Sequence, residues 1–387
     1  MKFGVEYQQK KLVSENKSAM TIIFICGCLE PGHDGVGDYT RKLALELTKQ
    51  GHRAGAIAIN DRFVNNIADE LQCESSLSIP VLRLPASIPG TQNFDIAKKW
   101  VDSFNPEWMS LQYVPFAFHP KGLRLGLGKQ LHQLGKGRKW HIMFHELWVG
   151  MNKESSQKYF YWGQVQRQLI SSMIARLKPL IVHTQTQVYL AQLKKINVNA
   201  AYLPLFSNIP VASMPVMSGN RRSTEFVFFG SIHPNIAVED FATEAVAYAA
   251  SRGEKPVLKI IGRSGSEQQR WQSIFTTAGF EVKVLGEKKP EEVSAILASP
   301  GIGLSTTTLL MAEKSGSIAA LSAHGLPVLC VTHAWSARGL KAVAPVAGIT
   351  EYKKGMLQSY LDGPLPVAQS HAVPAIAKQF ADNLNNN

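Results

Sequence analysis

From residue 21 onward, apolar runs of strand length alternate with longer stretches in which Leu, Ala and Ile recur among charges. Runs at 21–27, 54–59, 108–114, 141–144 and 180–184 predict strands, and segments at 39–50, 122–134, 155–177 and 187–195 predict the helices between them. Residues 203–220 break the pattern with three prolines, no charge and no helical period. Alternation then resumes. Strands are predicted at 226–229, 257–261, 282–285, 302–305 and 327–331, with helices at 238–250, 267–278, 290–298 and 317–324 and a last one at 373–384. Such alternation implies right-handed β-α-β units and parallel sheets covered on both faces. The expected organisation is an extension (1–19), a first doubly wound α/β domain (20–205), a linker (206–220), a second such domain (221–370), and a C-terminal helix and tail (371–387). Ligands of such domains bind at the carboxyl edges of the strands, so a cleft between the two domains is the expected site.

Composition narrows the class. The 387 residues are 45% apolar and 18% charged, which is globular. The longest apolar run falls far short of the roughly 20 residues a membrane span needs. Residues 1–17 are polar and do not read as a signal peptide. Four scattered cysteines suggest neither a disulfide framework nor a zinc site, so a cytoplasmic, metal-free protein is expected. The net charge of +12 is uneven, with 25 basic against 15 acidic residues in 1–200 and 16 against 14 in the remainder. A basic first domain fits a solvated face or a negatively charged partner such as anionic lipid or a phosphorylated acceptor; no nucleic-acid-reading motif is present. Lys121, Arg124, Lys129, Lys136, Arg138 and Lys139 are interleaved with Leu123, Leu125, Leu127, Leu131 and Leu134. That pattern suits a segment lying on an anionic membrane, or leucines facing the core with cations facing water.

Three motifs carry candidate chemistry. The loop after the first strand, EPGHDGVGDYT, places Gly35 and Gly37 before a helix, where backbone can approach a ligand and free N–H groups attract anions. It is not the G-x-G-x-x-G of a nicotinamide site. MFHELWVG places His145 and Glu146 just past a strand, at a sheet edge. EKSGSIAALSAHGLPVLC sets Ser315, Gly316 and Ser317 before a helix of small residues, offering N–H groups and hydroxyls to a diphosphate.

These motifs, with FVFFGS opening the second domain and HGLPV near its end, resemble those of the family-4 retaining glycosyltransferases of the GT-B fold. The resemblance implies two Rossmann-like domains facing across a cleft and transfer of a sugar from a nucleotide-diphosphate sugar to an acceptor hydroxyl, with retention and without metal or cofactor. It implies a donor site of Gly35, Gly230, Ser231, Ser315, Gly316 and Ser317, with Asp38, Tyr39 and Glu146 on the acceptor side. His145 would sit beside the transferred sugar and Glu313 would hold its ring hydroxyls. The acceptor would be a sugar, a lipid-linked or a phosphorylated molecule; the basic first domain adds the expectation of peripheral contact with the inner membrane face. The chain departs from the family where a clamping Arg is Ser231, a Lys is Ile236, and the region of a second Glu holds Ala320 and Leu321. Arg263 or Lys314 would then supply the cation. A catalytically silent GT-B partner is the alternative those departures suggest, and a GT-B phosphorylase or epimerase is a third.

Overall fold

The computed structural model describes residues 19–74, 76–211, 224–340, 343–344 and 346–386. Residues 1–18 of the expected extension and 212–220 of the expected linker lie outside the described residues.

Two sheets organise the chain. The first takes β1 (Thr21–Cys26), β2 (Arg53–Asp61), β3 (Ala68–Glu74), β4 (Leu77–Pro85), β5 (Trp108–Tyr113), β6 (Lys139–Phe144), β7 (Ile181–Thr184) and β8 (Ala201–Tyr202), in the order β3-β4-β2-β1-β5-β6-β7-β8. The second takes β9 (Glu225–Phe229), β10 (Val257–Ile261), β11 (Glu281–Gly286), β12 (Ile302–Ser305), β13 (Val328–Cys330) and β14 (Ile349–Glu351), in the order β11-β10-β9-β12-β13-β14. Among the described residues, every strand pairing within the two sheets is parallel except β3 with β4. The strand order reverses direction between β1 and β5, and again between β9 and β12. Those are the points where crossovers diverge and leave a crevice at the carboxyl edge.

The period-2 pattern explains the central strands. Ile23 and Ile25 of β1 join Met109 and Leu111 of β5 and Ile142 and Phe144 of β6 in one core. Ile22 and Phe24, one position out of phase, face the opposite layer. That layer includes the last helix, Val373–Asn385. Its Ile376, Ala377, Phe380 and Leu384 share a core with Ile22, Phe24 and Leu43. The tail of the chain therefore returns to the first domain.

Several elements differ from expectation. The first helix, Gly35–Lys49, begins four residues earlier than predicted, because the Asp34 carboxylate accepts from Gly37 N at 2.8 Å and caps it. The helix predicted over 122–134 starts only at Leu127, since Gly122 and Gly126 hold positive φ of 62° and 76°. The hairpin β3–β4, helix Gly90–Phe104, β14 and helix Leu357–Asp362 were not predicted. In the basic segment, Leu127, Leu131 and Leu134 are buried in the first-domain core, and Leu125 stands out at 76% exposure. The leucine stripe that an interfacial helix requires is turned inward. Arg138 pairs with Asp102 and Lys139 with Glu107.

The two domains also meet through the segment around Ala337, which forms a bridge with Asn152. The Arg338 guanidinium donates to the carbonyls of Asn152 (3.3 Å), Lys153 (2.8 Å) and Ser155 (2.9 Å).

Candidate functional site

A cavity of about 310 Å³ lies where the carboxyl edges of the two sheets approach each other. Its first-domain wall comes from Gly27 after β1, Val114, Phe116 and Ala117 after β5, His145 and Glu146 after β6, and Gln185 after β7. Gly35, Val36 and Tyr39 of the first helix close one side, and Lys314 and Gly316 enter from the second domain. Glycine is required at position 27, because a Cβ there would stand 2.6 Å from Ala117 Cβ. The structure thus brings Gly35, Tyr39, His145, Glu146, Lys314 and Gly316 around one cavity.

His145 is 6% exposed. Burial lowers its pKa to about 3, with the nearby Lys314 charge acting in the same direction and Gln185 opposing, so the ring is neutral near pH 7. Its Nε2–H donates to Gln112 Oε1 at 2.9 Å, which fixes the tautomer, because an amide oxygen can only accept. Gln112 Nε2 in turn donates to Ser110 Oγ at 2.8 Å, and Ser110 Oγ lies 2.7 Å from His141 Nδ1. His141 Nε2 lies 3.0 Å from His183 Nδ1, and His183 Nε2 lies 2.9 Å from Asn383 Nδ2. A buried polar chain therefore runs from the cavity through β5, β6 and β7 to the last helix. Burial also lowers the His141 pKa well below its ordinary value and that of His183 to about 4. Tyr39 meets His145 edge-on, with centroids 5.0 Å apart, and stacks on Phe206 at 4.6 Å.

Lys314 Nζ lies 3.0 Å from Glu146 Oε1 and 5.8 Å from the Tyr189 ring centroid. Burial opposes its charge, yet Tyr189 and Glu146 outweigh that and raise its pKa. Glu313, its neighbour in chain, points elsewhere. Its Oε2 accepts from Gln187 N at 2.9 Å, at the start of helix Gln187–Lys194, and burial raises its pKa. It ties the domains together and is not part of the cavity wall. Asp38 also lies outside that wall. It accepts from Gly32 N at 3.0 Å and pairs with Arg41, bracing the loop.

The other donor-side residues gather at the second sheet's edge. Gly230 holds φ of 103°, and a Cβ there would stand 2.5 Å from Ser317 Oγ. Ser231 Oγ donates to the Arg263 carbonyl at 3.3 Å. The Arg263 side chain crosses to the opposite loop, with Nη1 2.8 Å from His33 Nδ1 and Nη2 donating to the Gly32 carbonyl. Ser315 caps helix Gly316–Ala323 by accepting from Ile318 N at 3.4 Å. Nothing stands within 4 Å of where a Gly316 Cβ would be, so the helix start is open. Ile236, Ala320 and Leu321 are buried among apolar neighbours.

Sequence reasoning missed Ser110, Gln112, His141, His183 and Gln185. Their signal was present as polar residues sharing one strand parity: Ser110 and Gln112, His183 and Gln185 two apart, and His141 and His145 four apart. Read along single strands they look like interruptions; in register across three strands they form one face.

No protein-family model and no curated protein sequence matches the chain. Solved structures do. A lipopolysaccharide outer core galactosyltransferase, WaaB, aligns over 95% of this chain and 98% of its own, with a TM-score of 0.53 at 14% identity. A glycosyltransferase from Rickettsia africae aligns over 95% and 94%, with a TM-score of 0.55 at 10% identity. The pneumococcal O-GlcNAc transferase GtfA, solved with UDP and GlcNAc, aligns over 95% and 93%, with a TM-score of 0.51 at 9% identity. The fold is GT-B. At these identities the likeness is one of fold, and within GT-B the cavity occupies the interdomain cleft, at the carboxyl edges of both Rossmann-like sheets.

Proposed function

We propose that this GT-B protein transfers a hexosyl group from a nucleotide-diphosphate sugar to an acceptor hydroxyl, with retention of configuration and without metal or cofactor. The observation that carries the reading is the juxtaposition, across one cleft, of neutral, buried His145 with Lys314 and the open helix start at Gly316. The diphosphate lies against the second domain, where the N–H groups of Gly316 and Ser317 and the hydroxyls of Ser231 and Ser317 accommodate it. Gly230 lets that backbone approach. Lys314 and Arg263 supply the positive charge that Ser231 and Ile236 do not, stabilising the charge that develops on the leaving phosphate. His145 aligns the transferred sugar, and Tyr39, Glu146 and the Gly35 end of the first helix face the acceptor. The C1–O bond to phosphate breaks as the acceptor oxygen bonds C1 on the same face, and the departing phosphate oxygen takes the acceptor proton. Glu313 keeps the two walls in register through Gln187.

A thermal-shift panel of UDP-, GDP- and ADP-sugars tests this. A donor at 100 times its dissociation constant stabilises by about 2.7 kcal/mol. One series is expected to raise the melting temperature, and transfer activity is expected to be unchanged in EDTA. Loss of transfer on chelation, restored by magnesium, would overturn the metal-free mechanism. A panel with no stabilising nucleotide would overturn the reading as a whole. The buried Ile236, Ala320 and Leu321 favour the silent-partner reading, and nucleotide binding without sugar transfer or donor hydrolysis would select it.

A further inference from the structure

Among the described residues, nine buried side-chain polar atoms have no hydrogen-bond partner, and three of them belong to residues lining this one cavity: Tyr39 Oη, Gln185 Nε2 and Asn208 Oδ1. Tyr39 and Gln185 are each 2% exposed. A buried polar atom without a partner bears the full cost of its lost hydration, so native proteins keep such atoms few. The Gln185 side chain also hydrogen-bonds His145, which leaves its Nε2 as the free end, and three such atoms around one cavity mark a surface made to be completed by a ligand.

We propose that Tyr39, Gln185 and Asn208 form a subsite for a neutral, polyhydroxylated acceptor, a sugar ring. This rests on the glycosyltransferase reading of the same cleft and names its acceptor class. The three atoms are chemically different. Gln185 Nε2 can only donate, Asn208 Oδ1 can only accept, and the Tyr39 hydroxyl does either. Adjacent sugar hydroxyls satisfy all three, because each supplies one O–H and two lone pairs. An ionised phosphate offers acceptors alone and would leave Asn208 Oδ1 unpaired. The charges of the wall agree. Its cations, Arg62 and Lys314, are matched by Asp34 and Glu146, with Lys314 already paired to Glu146. Burial and the neighbouring carboxylate of Asp38 raise the Asp34 pKa, while its helix-capping bonds and Arg62 act the other way. The formal charges of the wall balance, and its anion-binding groups, Lys314 and the helix start at Gly316, are those assigned above to the diphosphate. Among the described residues, that leaves Arg62, beside Asp34, as the only other cation of the wall for a phosphorylated acceptor. The rings of Tyr39 and Phe116 supply apolar surface for the C–H face of a sugar. A cavity of about 310 Å³ suits a small ligand.

Calorimetric titration at saturating nucleotide, using whichever of UDP, GDP or ADP binds, tests the proposal. The probes are methyl gluco-, galacto- and mannopyranosides and the corresponding hexose 6-phosphates. At least one methyl hexoside is expected to bind, and more tightly than its 6-phosphate. Gln185→Leu and Asn208→Leu should each weaken it at least fivefold while nucleotide affinity stays within twofold. Tyr39→Phe should weaken it similarly and melt no lower than the parent, because it removes a hydroxyl with no partner. Tighter binding of the 6-phosphates, unchanged hexoside affinity in the variants, or a lower melting temperature for Tyr39→Phe would overturn the subsite. Nucleotide binding with no neutral hexoside binding would overturn the subsite and leave the glycosyltransferase reading standing. Hexoside binding with the stated variant losses, but no nucleotide binding, would do the reverse.

Discussion

Across the cleft, His145 is enclosed by the first domain and anchored through Gln112, Ser110, His141 and His183 to Asn383 on the last helix, whereas Arg263 is 45% exposed on its side chain and holds the loop opposite it. Behind the first-domain wall, the chain from His145 to Asn383 is a closed polar network set between sheet strands, while the unpartnered atoms of Tyr39, Gln185 and Asn208 lie on the wall itself. The second-domain wall offers open backbone N–H groups at Gly316 and side chains that borrow partners from across the cleft. A network closed before any ligand arrives holds reacting groups in place and loses little freedom on binding. Groups such as Lys314 and Arg263 must exchange a protein partner for the ligand, which ties donor binding to the position of the domains. The first wall should therefore govern turnover and the second wall nucleotide affinity.

That division can be broken at four points. The largest effect is expected for His145→Ala, which should lower transfer about 100-fold, since small misplacements at a reacting centre cost about that much. Nucleotide affinity by calorimetry should stay within about twofold; a parallel loss of affinity would mean that the walls do not divide the work. Gly316→Pro should do the opposite. Ser315 is already extended, at φ −87° and ψ 112°, and proline is tolerated at the first helical position, so the fold should hold. One N–H to an anion is lost, weakening nucleotide binding by about 1.5–3 kcal/mol. Equal affinity in a folded variant would move the diphosphate elsewhere.

Gln112→Leu sharpens the comparison within the first wall. Gln112 touches His145 and not the cavity, so its loss should cost about tenfold in kcat through ring misorientation, with KM for the donor and nucleotide affinity unchanged. The conservative Gln112→Glu, which keeps an acceptor for Nε2–H, should recover part of the rate. A variant whose KM moves and whose kcat does not would remove Gln112 from a positioning role.

The smallest effect concerns pH. Burial depresses the pKa of His145 to about 3 and of His183 to about 4, against about 6.5 in an unfolded chain. Below pH 6.5 the unfolded state binds the extra protons, so stability is full above that pH and declines as pH falls toward 4. The decline approaches about 1.4 kcal/mol per unit for each such histidine. Thermal melts between pH 7.5 and 5 should show it. His183→Asn should flatten the slope, and an unchanged slope would mean that His183 titrates freely.

How far the sequence could be read depended on the range of the interactions involved. Strand and helix alternation, the glycine loop before the first helix and the capped helix at Ser315 are local consequences of periodicity and backbone sterics, and they appear close to where the residues place them. Glu313 shows the opposite case. Its motif neighbours suggest a sugar-facing side chain, but its Oε2 accepts from Gln187 N, 126 residues away. The leucines of the basic segment likewise fit two faces equally well from sequence, and only the packing of helix Leu127–Leu134 against the core selected one.

The order of hydrophobic and polar residues by itself determined two parallel α/β layers and put His145, Glu146 and Gly316 at sheet edges, because side-chain alternation and helix starts depend on neighbours within a few positions. The tertiary structure alone decided which of these residues share a cavity. Lys314 meets Glu146 across 168 residues, and Asn383 meets His183 across 200. The three unpartnered atoms of the cavity come from a helix, a strand end and the segment after β8. Such meetings follow from strand order and domain docking, and those are settled by burial summed over the whole chain, to which no single segment's pattern is specific.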